Sequence, residues 1–458
     1  MRNLKRALSL ALAAIMLIGM MVVSASAVSY NDLTDKDQIV NKDAVSMLVS
    51  LGIIEGKPDG SYGPTENVDR AQMAKMLSVI MNKGVDNSAL YQSVNSGLTD
   101  ITSNWAKGHI NYCYTTGIIA GRGNGKFDPS ATVTALEAAK MLLVAVGYDP
   151  AIEGFEGADW AINVSVRADE QGIFEGFTKD LSAPLNRDDA ALLIYNALDV
   201  EMIQSYTTNN YPIAYSDHRT ILADKYGVIK VQGVVVANEW ASLASDDGDA
   251  ALKEGKTTIY NGEGIFSTTG NTTVSKEDAS LKTQTFNVST PVDMLGKTVN
   301  LYIKKTTILA DSTVYGDPVV SDVNTVVTTG ETVLYSGAKD PQVDYDKLLG
   351  ENGLTDKDAK YFWNYNSGKY IPNTTEKYGD KTANVKGATL TIIDNNGDGE
   401  VDYVLSVEKA LADITSVNSK KETVTVRTLG TLDNKDVVGY EDMAKEDVVL
   451  YVQYGGRT

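Results

Sequence analysis

Up to about residue 198 the apolar positions recur every three to four residues; beyond about residue 227 they alternate with polar ones. The first period predicts amphipathic helices, the second strands with one buried face. The helical stripes come in a repeating order. Val40, Ala44, Met47, Leu48 and Leu51 form the first, and Trp105, His109, Tyr112, Cys113 and Thr116 stand at the same offsets in a second. Trp160, Val164, Arg167, Ala168 and Gln171 mark a third, weaker toward its end. A further helix follows each stripe, over 70–81, 135–146 and 187–198. The apolar faces of these helices align as Ala74, Leu77 and Met81, then Ala139, Leu142 and Val146, then Ala191, Ile194 and Leu198.

The link between the two helices of each unit keeps a fixed frame. Gly52-Ile53-Ile54-Glu55-Gly56, Gly117-Ile118-Ile119-Ala120-Gly121 and Gly172-Ile173-Phe174-Glu175-Gly176 all read Gly-Ile-apolar-x-Gly. The unit is therefore helix, tight turn, loop, helix, occurring three times. Asp69, Thr134 and Asn186 stand just before the second helices, where a short polar side chain caps orphan amides. The second turn glycine lies fourteen residues before the helix start in the first two copies and eleven in the third, so one groove should differ. One helix pair cannot bury its own apolar face, whereas three can share a core, which predicts a pseudo-threefold cluster of helical hairpins.

These residues resemble S-layer homology domains, triplicated modules that bind bacterial cell-wall polysaccharide. Tyr30-Asn31-Asp32 resembles the family's aromatic-x-Asp opener, and Leu98-Thr99-Asp100 does so loosely. Asp59-Gly60-Ser61-Tyr62 and Asn124-Gly125-Lys126-Phe127 match its glycine-rich loop, and Asp69-Arg70-Ala71-Gln72 and Asn186-Arg187-Asp188-Asp189 its second-helix start. Ala135 stands where the family has arginine, Val40 replaces the first tryptophan, and the third copy has no clean opener. The resemblance implies a polysaccharide site built from Asp32, Arg70, Asp100, Trp105, Gly121, Trp160 and Arg187. It also implies a ligand whose terminal sugar often carries a pyruvate ketal. A guanidinium forks onto a carboxylate, glycine lets backbone donors approach, and tryptophan covers a sugar face. Helix-start packing for the two tryptophans, and pairing of Arg70 or Arg187 with nearby acids, are the alternatives. Arginine in copies one and three only predicts unequal grooves.

Strands are predicted over 228–237, 298–305, 325–328, 332–335, 388–393, 401–407, 422–428 and 447–454, rich in Thr, Val and Tyr. The fold class expected is multidomain α+β. Repeats span 28–92, 93–150 and 151–204, a linker 205–226, and antiparallel β-domains, sandwich or barrel-like, 227–340 and 341–458, the last either whole or a fragment. Asp394, Asn396, Asp398, Glu400 and Asp402 alternate around glycines as oxygen ligands for Ca²⁺ would. Leu405 stands where an EF-hand has its bidentate Glu, and a hairpin turn without an ion explains the same residues. No cofactor is required in either reading.

Composition narrows the function. Basic Arg2, Lys5 and Arg6, the apolar run 7–23 and the small residues 24–27 read as a secretory signal peptide cleaved after Ala27. Removing it leaves 38 basic against 60 acidic residues, a net charge of −22 that argues against nucleic acid as a partner. No later apolar run is long enough to span a membrane. Cys113, the lone cysteine, excludes an internal disulfide. His109 and His218 are the only histidines, and Tyr215-Ser216-Asp217-His218 is adjacency rather than a triad. The expectation is a non-catalytic protein of the bacterial cell surface, held non-covalently to wall polysaccharide and self-associating in a surface layer. A wall-anchored polysaccharide hydrolase or an adhesin is the alternative.

Overall fold

The computed structural model describes residues 30–243, 251–262, 282–304, 312–329, 345–371 and 388–453. The signal peptide and the strand expected at 332–335 lie outside them. The chain divides into two compact units, Met1–Tyr226 and Gly227–Thr458.

The first unit holds helices α1 (Lys42–Ser50), α2 (Arg70–Met81), α3 (Lys107–Thr115), α4 (Ala135–Val146), α5 (Trp160–Glu170) and α6 (Arg187–Leu198). The caps sit where the sequence puts them. Asp69 accepts from the Gln72 amide (2.7 Å), Thr134 from that of Glu137 (3.2 Å) and Asn186 from that of Asp189 (2.7 Å). Gln72 and Glu137 reach back to complete capping boxes. Each first helix ends on the glycine opening the repeated frame. Gly52, Gly117 and Gly172 have φ of 69°, 79° and 69°, and the isoleucine after each donates to the carbonyl five residues back, Leu48, Cys113 and Ala168. That is a Schellman ending, which glycine adopts without Cβ strain.

The packing departs from the hairpin expectation. The two helices of one repeat are not each other's main partners: α3 lies on α2, α5 on α4, and α1 on α6, so each first helix packs on the second helix of the preceding repeat. Three backbone bonds run in the same cyclic sense: Val68 N donates to Leu185 O (2.8 Å), Leu185 N to Val133 O (2.8 Å) and Val133 N to Val68 O (2.9 Å). Ala74, Leu77, Ala139, Leu142, Val146, Ala191, Ile194 and Leu198 are all buried and Met81 is half-buried, so the predicted second-helix faces form the core apart from the end of α2. Val40, by contrast, is 82% exposed.

The expected linker is folded onto this unit. Strands β1 (Ile203–Tyr206) and β2 (Pro212–Ala214) pair antiparallel, and the Tyr206 hydroxyl donates to Glu153 Oε1 (2.9 Å). Arg167 holds the other oxygen of Glu153 at 2.9–3.0 Å.

In the second unit, β3 (Val228–Asn238), β4 (Thr257–Tyr260), β5 (Thr283–Phe286), β6 (Thr298–Lys304) and β7 (Thr313–Val320) form an antiparallel sheet in the order β5-β4-β3-β6-β7. Strand β8 (Thr325–Thr328), helix α7 (Tyr345–Glu351) and strands β9 (Lys360–Trp363), β10 (Asn366–Ile371), β11 (Ala388–Asp394) and β12 (Tyr403–Glu408) follow. Their sheet runs β10-β9-β12-β11-β8, and β12 pairs parallel with β9, against the all-antiparallel expectation. The last sheet, β15-β14-β13-β16, comprises β13 (Ala410–Asn418), β14 (Thr423–Val426), β15 (Gly430–Asp433) and β16 (Val448–Tyr451). Strand periodicity builds two cores on the middle sheet. Phe362, Ile393, Tyr403 and Leu405 join Ile229, Val231, Leu301 and Ile303 of the first sheet, while Tyr361, Ile392 and Val404 face Tyr345 and Leu349 of α7.

Candidate functional site

The site begins at the start of α2. Arg70 is 4% exposed and leaves its own repeat to grip the loop of the next: Nε donates to Phe127 O (2.9 Å), Nη2 to Ala120 O (2.7 Å), and the guanidinium lies 4.4 Å over the Phe127 ring. Arg187, at the start of α6, repeats this on the first loop. Its Nε donates to Tyr62 O (2.8 Å), Nη2 to Glu55 O (3.4 Å), and its guanidinium sits 4.7 Å over Tyr62. The acceptors are seven residues apart in both loops, Ala120 with Phe127 and Glu55 with Tyr62. The alternative pairing with neighbouring acids is not what either arginine does. In the third junction the corresponding residue, Ala135, is fully buried and carries no guanidinium.

Around Arg70 opens a cleft of about 350 Å³, walled by Ile118, Ala120, Gly121 and Arg122 of the second turn, Glu137, Lys140 and Met141 of α4, and Phe155, Glu156, Gly157 and Trp160. Three cations and two carboxylates line it, a local positive excess on an acidic chain. Burial, and then the neighbouring Arg122, push the Arg70 pKa down to about 10, so it is still cationic at neutral pH. Lys140 donates to Phe155 O (2.6 Å), with its ammonium 5.7 Å from the Trp160 ring centroid. Arg122 Nη1 meets Glu137 Oε1 at 2.6 Å. The lining thus offers cations to an anionic group and an indole to an apolar face.

Gly121 and Trp160 thus line the Arg70 cleft. Gly121 is required sterically, since a Cβ there would stand 2.8 Å from Lys126 O in the loop that Arg70 holds. Trp105 is 58% exposed and stacks edge-on to His109 at 6.4 Å, so it is not a core tryptophan. Asp100 accepts from the Phe127 (2.9 Å) and Asp128 (2.8 Å) amides and so shapes the loop under Arg70. Burial raises its carboxyl pKa, but these amides outweigh burial and hold it below the usual range.

Asp32 requires a correction of register. Asp35, not Asp32, accepts from the Tyr62 (2.7 Å) and Gly63 (2.8 Å) amides, as Asp100 does one repeat later. Asp32 lies exposed in a 3-10 turn, Tyr30–Asp32. Leu33-Thr34-Asp35 is identical to Leu98-Thr99-Asp100, and Thr34 and Thr99 donate to Gly60 O (3.0 Å) and Gly125 O (2.8 Å). That identity was legible; an aromatic at Tyr30 drew the alignment three residues off. Arg122, Glu137 and Lys140 were missed because only the fold brings turn and helix together.

The acidic stretch 394–402 is a hairpin turn between β11 and β12, with Ile393 opposite Tyr403. Asp394 accepts from Gly397 (2.7 Å) and Gly399 (2.9 Å), Asn396 from Asp398 (2.9 Å), Asp398 from Glu400 (2.8 Å) and Asp402 from Asn395 (2.9 Å), while Glu400 pairs with Lys357. Their oxygens close the turn instead of converging. Among the described residues no group of three or more His, Cys, Asp or Glu is placed to hold a metal ion.

Repeats that pass an arginine to the next repeat's loop, beside a cleft of cations and indole, define a module built by repetition. The S-layer homology domain profile matches residues 29–74 and 97–139. The chain therefore carries S-layer homology domains within residues 29–139. It is 29% identical over 58% of its length to a cell surface protein of Thermoanaerobacter kivui, covering 32% of that protein. It is 33% identical over 25% of its length to an S-layer protein of Bacillus licheniformis (12% of that protein), and 28% over 39% to an exoglucanase of Acetivibrio thermocellus (17% of that protein). The chain thus spans a third or less of the length of these relatives. Among the described residues no helix is long and apolar enough to cross a membrane.

Proposed function

We propose that the first unit anchors the protein non-covalently to the bacterial cell wall by holding an acidic, pyruvate-ketal-bearing polysaccharide. In this reading the three repeats form a pseudo-threefold module with two working clefts, at Arg70 and Arg187, and a third that has lost its arginine. The second unit, two packed sheets and a smaller third, projects as surface-layer material without catalysis or a required cation. The observation that carries the reading is the duplicated placement of Arg70 and Arg187 on neighbouring loops.

Co-sedimentation of the mature chain with purified walls tests it. Binding is expected on intact walls and lost when the polymer is stripped. Arg70→Ala combined with Arg187→Ala should weaken it at least about tenfold, or about 1.4 kcal/mol. Each arginine also satisfies the carbonyl of a buried loop aromatic, Phe127 or Tyr62, so each substitution should cost about 1–3 kcal/mol of stability, checked by urea unfolding of the same samples. Retention on stripped walls, or unchanged affinity in the folded double variant, rejects the proposal. The likeness to an exoglucanase favours one rival, a wall-anchored glycan hydrolase; release of reducing ends from wall or plant glycans by the full chain would establish it.

A further inference from the structure

The two arginines differ in what surrounds the guanidinium. Beside Arg70 stand Arg122, Glu137 and Lys140. The corresponding positions beside Arg187 are Lys57, Gln72 and Lys75, by the same offsets from turn glycine and helix start. There Lys57 is tied to Glu66, and Lys75 lies 3.6 Å from Glu55, so the extra cations face acids of their own repeat. Beside Ala135 the corresponding residues are Phe177, Asp189 and Leu192, which offer no cation.

Arg122 is 45% exposed in its side chain, and its Nη1 lies 2.6 Å from Glu137 Oε1. Among the described residues its Nε and Nη2 donate no hydrogen bond, and two guanidinium groups line one cleft. Two like charges held together, one of them buried, call for an anion between them. Glu137 fills part of that need and is also the capping residue of α4, accepting from Thr134 N (3.2 Å).

Building on the proposed function, we propose that Arg122 is a specificity-determining residue of the Arg70 cleft: with Arg70 it binds the carboxylate of the acidic sugar, displacing Glu137. The Arg70 cleft is therefore the acid-selective site, and the Arg187 cleft discriminates less between acidic and neutral sugars. Glu137 competes with the ligand for Arg122 and sets the affinity.

Calorimetric titration of the mature full chain tests this, with a hexopyranoside carrying a pyruvate ketal and its neutral methyl ester as probes. Arg122→Gln should lower affinity for the acid about tenfold and leave the ester nearly unaffected. Glu137→Gln should raise affinity for the acid, because it frees Arg122 while keeping the cap. Gln72 already makes that cap in the first repeat, accepting from Asp69 N at 2.9 Å, so the variant should fold. Loss of binding in Arg70→Gln with Arg122→Gln like wild type overturns this inference and leaves the anchoring function standing. Unchanged or weaker binding in Glu137→Gln also overturns it. Full binding in both Arg70→Gln and Arg187→Gln overturns the anchoring function with it.

Discussion

Asp35 and Asp100 do the same work one repeat apart, each carboxylate gathering two loop amides so that the loop carbonyls face a neighbour's arginine. Removing such an acceptor orphans two amides, so Asp35→Ala should cost about 1–3 kcal/mol in urea unfolding. Asp32→Ala, on an exposed turn, should stay within about 0.5 kcal/mol. A reversed order would restore the opener register read from Tyr30. His109 carries a pH dependence. It is buried, its Nδ1 2.6 Å from the Ser78 hydroxyl and its Nε2 3.6 Å from Asp86. Burial, opposed by Asp86 and aided by Lys75, lowers its pKa below 6.5. The unfolded chain then binds the proton first, so stability present above pH about 6.5 is lost as pH falls toward the lowered folded value. Denaturant midpoints at stepped pH should drop across that window, and His109→Gln should flatten the drop.

At the scale of elements, turn chemistry decides more than helix propensity. Gly117 has φ 79°, and a Cβ added there would meet nothing within 4 Å, so Gly117→Ala should cost only the left-handed backbone strain, about 1–2 kcal/mol, and leave glycan binding intact. Gly121→Ala meets Lys126 O instead and should displace the loop that Arg70 grips, so binding falls with stability. Melting temperature and wall co-sedimentation of the two variants separate strain from displacement. The second helices were legible to the residue, because capping side chain, apolar face and length agreed there. Several strands were not. The pairing of β9 with β12 and of β13 with β16 depends on partners remote in sequence, and short strands of Thr and Tyr read as loop.

For the whole molecule, the cyclic exchange of helices makes the repeats interdependent: a first helix finds its partner only in another repeat. The smallest autonomous piece therefore contains all three repeats, and the compact unit that holds them runs to Tyr226. Residues 28–226 should unfold in one cooperative transition and keep wall binding. Residues 28–198 should be weaker by about 1–3 kcal/mol, having lost the hydrogen bond from Tyr206 to buried Glu153. Calorimetry of both fragments checks this, and equal midpoints would mean that the hairpin contributes nothing.

Sequence by itself determined the threefold repetition, the caps, the glycine turns, the buried second-helix faces and the two arginines, because each is set by residues within a few positions of one another. Tertiary structure alone decided that helices pair across repeats, that Asp35 rather than Asp32 frames the first loop, and that Arg122 and Lys140 share a cleft with Arg70. Those outcomes depend on closing a ring between segments dozens of residues apart, where backbone bonds such as Val68 to Leu185 fix the register and local pattern carries no information.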